Sequence, residues 1–281
     1  MISLLSLLLV VNAHAKVRMD KVTGCQAPKG AKEVLLIKQW HLSPTTSTKG
    51  FKEKYAQEKN QTAIYQYLNE LVKKKKLDIV VAEGCEGEIT DGFATAFNGW
   101  DLESLAKQSQ TKGFDRIVTN VPLKLEARHH GKLLTLCGDN EKMIQEGNLR
   151  LSNLRGWAGF WSRLSEPAAD AERTRLYAEA AADLLKVKKD TPVKDLREKI
   201  RERLKADLDL FKESLTTRNQ GFVKALEGRE FKTAALVIGG LHAKDLKDRL
   251  EKAGYACDVL RPPGYAAQDE ELIEEFEKAL K

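Results

Sequence analysis

Short apolar runs alternate with segments of helical periodicity along most of the chain. The runs end in polar or glycine-containing turns and lie at 33–40, 77–82, 132–137, 234–238 and 255–260. Runs of this length are typical of buried strands in a parallel sheet. Between the first two runs, residues 62–72 carry apolar side chains at helical spacing. This order predicts a βαβ unit, in which a right-handed crossover joins two parallel strands.

The segment from about 141 to 229 differs, because helical periodicity continues through it. Its clearest feature is a stripe of apolar side chains three or four residues apart, formed by Leu196, Ile200, Leu204, Leu208, Phe211 and Leu215. Such a stripe is typical of a helix with one buried face. Further helices are predicted at 243–253 and 269–280.

Together these patterns predict an α/β fold in a single domain over residues 28–281. We expect a mainly parallel sheet flanked by helices. A large helical insertion, about 141–229, is expected between the third and fourth predicted strands. Sheets of this kind bind their ligands beyond the carboxyl ends of the strands.

Residues 1–15 have the features of an export signal. Residues 4–11 are almost wholly apolar, and Ala13-His14-Ala15 fits a small-x-small cleavage site. No Lys or Arg precedes the apolar run, so an upstream start and a buried N-terminal strand stay open as alternatives. The run is too short to span a membrane, and no other stretch approaches about eighteen apolar residues. We therefore expect a periplasmic or secreted protein without an integral membrane segment once the signal is removed.

The formal net charge is +6, but the basic residues are spread among many acidic ones. A run of lysines at 73–76 follows an amphipathic stretch, where it is explained by the favourable interaction of cations with a helix C-terminus. Nucleic acid is therefore not an expected partner. The expected partner is a peptide or small-molecule substrate, and the sequence does not indicate an oligomeric state.

The four cysteines are Cys25, Cys85, Cys137 and Cys257, and an exported chain would carry them into an oxidising compartment. Their spacings match no zinc module, and four cysteines allow three full pairings. Cys85 and Cys137 both lie at the ends of predicted strands. If these strands are neighbours, the two thiols would form a disulfide that borders the ligand-binding edge of the sheet.

Polar groups follow the predicted strands where a parallel sheet would bring them together. His41, Glu83 and His242 end three of the first four strands, and Asp139 follows the remaining one. Two imidazoles and a carboxylate are a common ligand set for a catalytic divalent metal ion. The structural alternative is that these side chains cap helices or pack at the ends of loops.

Arg218 gives a separate indication, because it falls on the continuation of the buried helical stripe. A buried guanidinium needs an anionic partner, and we expect that partner to be Glu83 or Glu86. The alternative is an arginine that reaches solvent from a helix end. A fixed guanidinium would orient a carboxylate or stabilise an oxyanion. Glu83 is the stronger candidate for a metal ligand or general base, because it follows its strand directly, and Glu86 is the next.

These residues, taken in order, resemble the motifs of the TraB/Tiki-like superfamily, which also includes ChaN-like haem-binding lipoproteins and erythromycin-esterase-like proteins. That group has two Gly-x-x-His motifs, an acidic motif after the second strand and a late Arg-Asn pair. Gly239-Gly240-Leu241-His242 matches the second histidine motif. Ala82-Glu83-Gly84 resembles the acidic motif, and Arg218-Asn219 resembles the helix pair. The first motif departs, because Lys38 stands where glycine is usual in Lys38-Gln39-Trp40-His41.

The resemblance implies one of two functions for the same cleft. Tiki-like members imply a metal-dependent peptidase, and ChaN-like members imply haem binding without hydrolysis. We expect an exported metal-dependent hydrolase of the peptidase or esterase type, with a divalent metal ion whose identity is open. The expected metal ligands are His41, His242, Glu83 and Glu86, and the expected catalytic residues are Glu83, Arg218 and Asn219.

The alternative is a non-catalytic protein that binds haem or another ligand, with Trp157 and Trp161 lining the cleft. A third hypothesis is an inactive member of the superfamily that serves in interaction. Lys38 is the sequence feature that suggests it, because a lysine there would crowd the backbone or place a positive charge near the metal.

Overall fold

The computed structural model describes residues 17–40, 51–111, 114, 120–165 and 171–280. The predicted export signal at 1–15 and the candidate ligand His41 both lie outside these residues. Among the helices that the structure describes, none is long and apolar enough to cross a membrane.

The described residues contain a seven-stranded sheet in the order β1-β7-β2-β6-β3-β5-β4. The strands are β1 (Asp20–Gly24), β2 (Glu33–Gln39), β3 (Ile79–Ala82), β4 (Glu86–Glu88), β5 (Leu134–Gly138), β6 (Thr233–Gly239) and β7 (Ala256–Arg261). The central strands β7, β2, β6, β3 and β5 are parallel, whereas β1 and β4 pair antiparallel at the two edges. The predicted fold class, a mainly parallel sheet flanked by helices, is therefore confirmed.

The helices that surround this sheet are numbered in chain order within the described residues. They are α1 (Phe51–Lys73), α2 (Asp91–Asn98), α3 (Leu102–Gln108), α4 (Val121–His129), α5 (Glu141–Ser165), α6 (Ala171–Leu185), α7 (Val193–Lys224), α8 (Ala243–Lys252) and α9 (Gln268–Ala279).

The alternation of side chains along each strand produces two separate cores, one on each face of the sheet. On β2, Leu35 and Ile37 pack with α1 and α4 on one face. Val34 and Leu36 pack with the end of α7 and with α8 on the other. Both faces are covered, which explains why the central strands are apolar runs rather than alternating ones.

The predicted helical insertion between the third and fourth predicted strands is present as α5, α6 and α7, between β5 and β6. The stripe predicted on α7 is buried from Leu196 to Phe211. It packs against α5 and α6 in a separate apolar cluster that also takes in α9. Trp157 and Trp161 belong to the edge of this cluster.

Two edge strands were not predicted from the sequence. β1 is mostly polar and exposed, and it precedes the predicted domain start at residue 28, so the sheet extends beyond that boundary. β4 has three residues, all exposed. Neither strand has the apolar run or the alternation by which a buried strand is recognised.

Two disulfides join the cysteines, Cys25 with Cys257 and Cys85 with Cys137. The predicted bond between Cys85 and Cys137 is therefore confirmed. Both bonds fit an exported protein, because disulfides persist in oxidising compartments.

Candidate functional site

The carboxyl ends of β5, β3 and β6 lie side by side and carry polar groups at adjacent positions. Glu83 follows β3 directly, and Asp139 follows β5. His242 ends a single 3₁₀ turn, Gly240–His242, that continues from β6. Arg218 reaches this edge from α7. The parallel pairing predicted from the sequence thus brings Glu83, His242 and Arg218 together.

A close approach between α7 and β5 allows Arg218 to reach the strand ends. Gly221 on α7 faces Gly138 at the end of β5, and a side chain on Gly221 would meet the Gly138 carbonyl oxygen at 2.6 Å. A side chain on Gly138 would in turn collide with Val81 and Phe222. The two glycines let the helix backbone lie almost against the strand backbone, one turn beyond Arg218.

The Arg218 guanidinium binds two carboxylates. Its Nε and Nη2 donate to the two oxygens of Asp139, each over 2.8 Å, and Nη2 also donates to Oε1 of Glu83 over 2.7 Å. Burial lowers the pKa of Arg218, but the hydrogen bond to Asp139 and the charges of Glu83 and Asp139 outweigh burial and raise it overall. The guanidinium is therefore permanently charged, and its fork geometry fixes both carboxylates.

Backbone amides hold the same carboxylates from the other side. The second oxygen of Glu83 accepts a hydrogen bond from the Gly239 amide at the end of β6. Asp139, whose side chain is 0% exposed, accepts from the amides of Gly84 and Asn140 over 3.1 and 2.8 Å. Buried carboxylates require such compensation, and here charge and hydrogen bonding both supply it.

A chain of polar groups sets the tautomer of His242. Nδ2 of Asn219 donates to Oδ2 of Asp245 over 2.8 Å, so Oδ1 of Asn219 faces Nδ1 of His242 at 2.6 Å. Nε of Arg249 also donates to Oδ2 of Asp245. A carboxylate accepts and does not donate, which fixes the orientation of the Asn219 amide. Nδ1 of His242 is therefore the protonated nitrogen.

The other nitrogen of His242 points at Glu83. Nε2 lies 3.3 Å from Oε1 of Glu83, and the imidazole is 2% exposed and packs edge-on against Phe222. In the neutral imidazole Nε2 carries a lone pair, so two acceptors face each other. A metal cation bound by both atoms would make this contact attractive.

The predicted metal ligands are placed differently from one another. Within the described ranges, no group of three or more His, Cys, Asp or Glu side chains is arranged to hold a metal ion. His242 and Glu83 form a pair of donors, and His41 lies outside the described residues. Glu86 is exposed on β4, where its carboxylate accepts from the Glu141 amide at the start of α5.

Two members of the network were not assigned a role from the sequence. In the sequence Asp139 is a polar residue after its strand, and the predicted partner of Arg218 is Glu83 or Glu86. The structure confirms Glu83 as a partner and adds Asp139. Asp245 carried a weaker signal, since an acidic residue in the first turn of a helix is common.

Lys38, which stands where the motifs that this chain resembles have glycine, pairs with a carboxylate that does not belong to the network. Its Nζ lies 2.6 Å from Oε1 of Glu270 and 5.6 Å from the centre of the Tyr265 ring. The Tyr265 hydroxyl donates to the other oxygen of Glu270, and burial, followed by this hydrogen bond, raises the pKa of Tyr265. The expected positive charge is thus matched by a carboxylate from α9.

Carboxamide side chains from α1 lie beside the end of β2. Asn60 accepts from the Trp40 amide, and Gln61 donates to the Trp40 carbonyl, each over 2.8 Å. Gln57 lies one turn earlier and is 1% exposed. Among the residues that the structure describes, the side-chain amide of Gln57 and Nδ2 of Asn60 have no hydrogen-bond partner. The sequence offered no signal for this group, because glutamine and asparagine on a helix are usually solvated.

No family model, no curated protein and no solved structure matches this chain.

Proposed function

We propose that the chain is an exported metal-dependent hydrolase, of the TraB/Tiki-like type, that acts on peptides or esters. The observation that carries the proposal is the contact between Nε2 of His242 and Oε1 of Glu83, 3.3 Å apart at the carboxyl edge of the sheet. An imidazole nitrogen and a carboxylate oxygen are donors that suit a divalent cation. His41, which follows β2 in the sequence, is the proposed third donor.

The surroundings of His242 favour a role as a metal ligand. A ligating histidine characteristically donates its second ring N–H to a polar group that fixes the tautomer and ring orientation. Asn219, held by Asp245, supplies that group here. The arrangement leaves Nε2 as the donor atom without any rotation of the ring.

The charges of the network also favour a bound cation. Glu83 and Asp139 contribute two negative charges, and Arg218 contributes one positive charge. One of these carboxylate oxygens, Oε1 of Glu83, lies 3.3 Å from Nε2 of His242. A divalent ion bound there would polarise the scissile carbonyl as a Lewis acid.

The chain's own residues have defined tasks in this proposal. Arg218 holds Glu83 in place, and Asp139 holds Arg218. In this proposal Glu83 binds the metal or takes a proton from the attacking water. Glu86 stays a candidate ligand from the sequence. The two disulfides support export, to the periplasm or outside the cell.

Metal binding by the oxidised protein tests the proposal directly. Titration with Mn²⁺, Co²⁺ and Zn²⁺ should raise the melting temperature of the wild type and support cleavage of a peptide or ester panel. His242→Ala should abolish both effects. His130→Ala is the matched control, because its imidazole is exposed and pairs with Glu126 away from the network.

A second variant tests the orientation of the imidazole separately from its presence. Asn219→Leu leaves His242 in the chain but removes the acceptor at Nδ1, so metal affinity should fall about 10- to 100-fold. A wild-type protein that takes up no divalent ion, and whose melting temperature none of the three ions changes, would refute the metal site.

A further inference from the structure

The Cys85–Cys137 disulfide joins two cysteines that are close in sequence to the carboxylates of the network. Cys85 is two residues after Glu83, and Cys137 is two residues before Asp139. The bond thus joins the two segments that supply the carboxylates bound by Arg218. The second disulfide lies elsewhere, since Cys25 follows the edge strand β1 and Cys257 belongs to β7, the strand next to that edge.

The path of the chain explains why a covalent link is useful at this position. β3 pairs with β5 on one side, where Ala82 is opposite Cys137. β4 pairs with β5 on its other side, where Gly87 is opposite the same Cys137. The intervening residues 83–85 must therefore cross over the carboxyl end of β5. Glu83 is the first residue of this crossing.

The crossing segment has little intrinsic stiffness. Gly84 has a φ of +93°, a region that glycine adopts at no steric cost and other residues rarely enter. Gly84 is exposed, so apolar packing does not hold it. Two hydrogen bonds to the other segment remain, from the Gly84 amide to Asp139 and from the Asp139 amide to the Cys85 carbonyl, over 3.1 and 3.0 Å.

We propose that the Cys85–Cys137 disulfide is a positioning element, which holds Glu83 and Asp139 at the spacing that Arg218 bridges. The Cys137 end of the bond is fixed by packing, because Cys137 is 4% exposed and belongs to an apolar cluster with Ile89, Leu105 and Phe114. Its main effect is on the geometry of the network rather than on the stability of the whole fold. This geometric role stands without the proposed function, whereas its effect on metal binding rests on it.

The second disulfide provides an internal comparison. In the chain-entropy model, a disulfide that closes a longer loop stabilises the folded chain more. The sequence separation is 232 residues for Cys25–Cys257 and 52 for Cys85–Cys137. Removing Cys25–Cys257 should therefore lower the melting temperature more, and removing Cys85–Cys137 should disturb the network more.

The test compares Cys85→Ala/Cys137→Ala with Cys25→Ala/Cys257→Ala by amide hydrogen exchange under native conditions. The informative amides are those of Gly84, Asp139 and Gly239, since each belongs to a carboxylate-holding segment. Loss of Cys85–Cys137 should reduce their protection about tenfold or more, an opening that local unfolding permits without loss of the fold. Loss of Cys25–Cys257 should leave their protection unchanged and lower the melting temperature more. Equal protection in both variants would overturn the proposal.

A second version of the variant guards against a folding defect. Cys85→Ala/Cys137→Val fills the buried position with a β-branched side chain that suits a strand. The same loss of protection in this folded variant supports the proposal, and wild-type protection overturns it. In the metal titration, both variants that lack the Cys85–Cys137 bond should bind Mn²⁺ about tenfold more weakly than the wild type. A wild type that binds no metal would refute the proposed function alone, because the exchange measurement does not depend on metal.

Discussion

Two polar groups lie beside the carboxyl edge of the same sheet, on opposite faces. They differ in how many of their polar atoms have an ionic or hydrogen-bond partner. The α7 side carries the charged network of Glu83, Asp139 and Arg218, in which one guanidinium binds both carboxylates and backbone amides also donate to them. The α1 side carries Gln57 and Asn60, whose amide atoms are only partly matched within the described residues. The side chains of the charged group are at most 8% exposed, and Gln57 and Asn60 are 1% and 0% exposed.

The difference follows from what each kind of group costs to bury. Burying an isolated charge is prohibitively costly, so a buried carboxylate is retained only where a counter-charge and hydrogen bonds compensate it. An unmatched carboxamide costs about 1–3 kcal/mol, which a domain of this size tolerates. Substitutions on the two sides should therefore differ in size, and removal of an unmatched carboxamide should differ in sign as well.

The largest effect should come from Arg218→Met, which leaves two buried carboxylates without a counter-charge. We expect the free energy of unfolding to fall by about 3–5 kcal/mol, as is usual when one partner of a buried ion pair is removed. Urea unfolding measures it. Arg175→Met is the control, because Arg175 makes an exposed pair with Glu179 along α6 and should change stability by about 0.5 kcal/mol or less. Equal losses in the two variants would contradict the distinction.

An intermediate effect is expected from Asn60→Ala on the carboxamide side. The Trp40 amide loses its acceptor, so the free energy of unfolding should fall by about 1–2 kcal/mol. Gln66→Ala is the control, since Gln66 lies on the exposed side of the same helix. If Asn60→Ala is as stable as Gln66→Ala in urea, the Trp40 contact does not contribute to stability.

The smallest effect should have the opposite sign. Gln57→Met replaces a buried carboxamide by an apolar side chain of similar length, and we expect the free energy of unfolding to rise by about 1 kcal/mol. Thermal unfolding of this variant and of Gln66→Met separates burial from helix propensity. A loss of stability in Gln57→Met would mean that the Gln57 amide has hydrogen-bond partners in solution. The polar groups on the two sides would then be equally well paired.

The parts of the fold predicted from the sequence are those with a clear apolar pattern. The stripe on α7 is periodic, whereas the five parallel strands were recognised as continuous apolar runs. The partnership of Arg218 with Glu83 followed from the stripe, because a charge on a buried face requires a counter-charge. β1 and β4 were missed since both are exposed, and exposure removes the pattern by which a strand is recognised.

The remaining site residues depend on distances that no local pattern encodes. Asp139 joins Arg218 because two facing glycines, Gly138 and Gly221, bring α7 against β5. That approach depends on how the whole helical insertion packs. Gln57 and Asn60 look like ordinary polar positions of a helix, and the docking of α1 beside Trp40 is what buries them.

The two antiparallel edge strands have a consequence for the behaviour of the protein at high concentration. A parallel central sheet of apolar strands would be a template for further strand addition if its edges were open. One edge is closed by β1, whose register shifts between Lys21 and Thr23, and the other by the three-residue Glu-Gly-Glu strand β4. Short, charged and irregular edges resist pairing with another chain, so these strands protect the sheet from edge-to-edge aggregation.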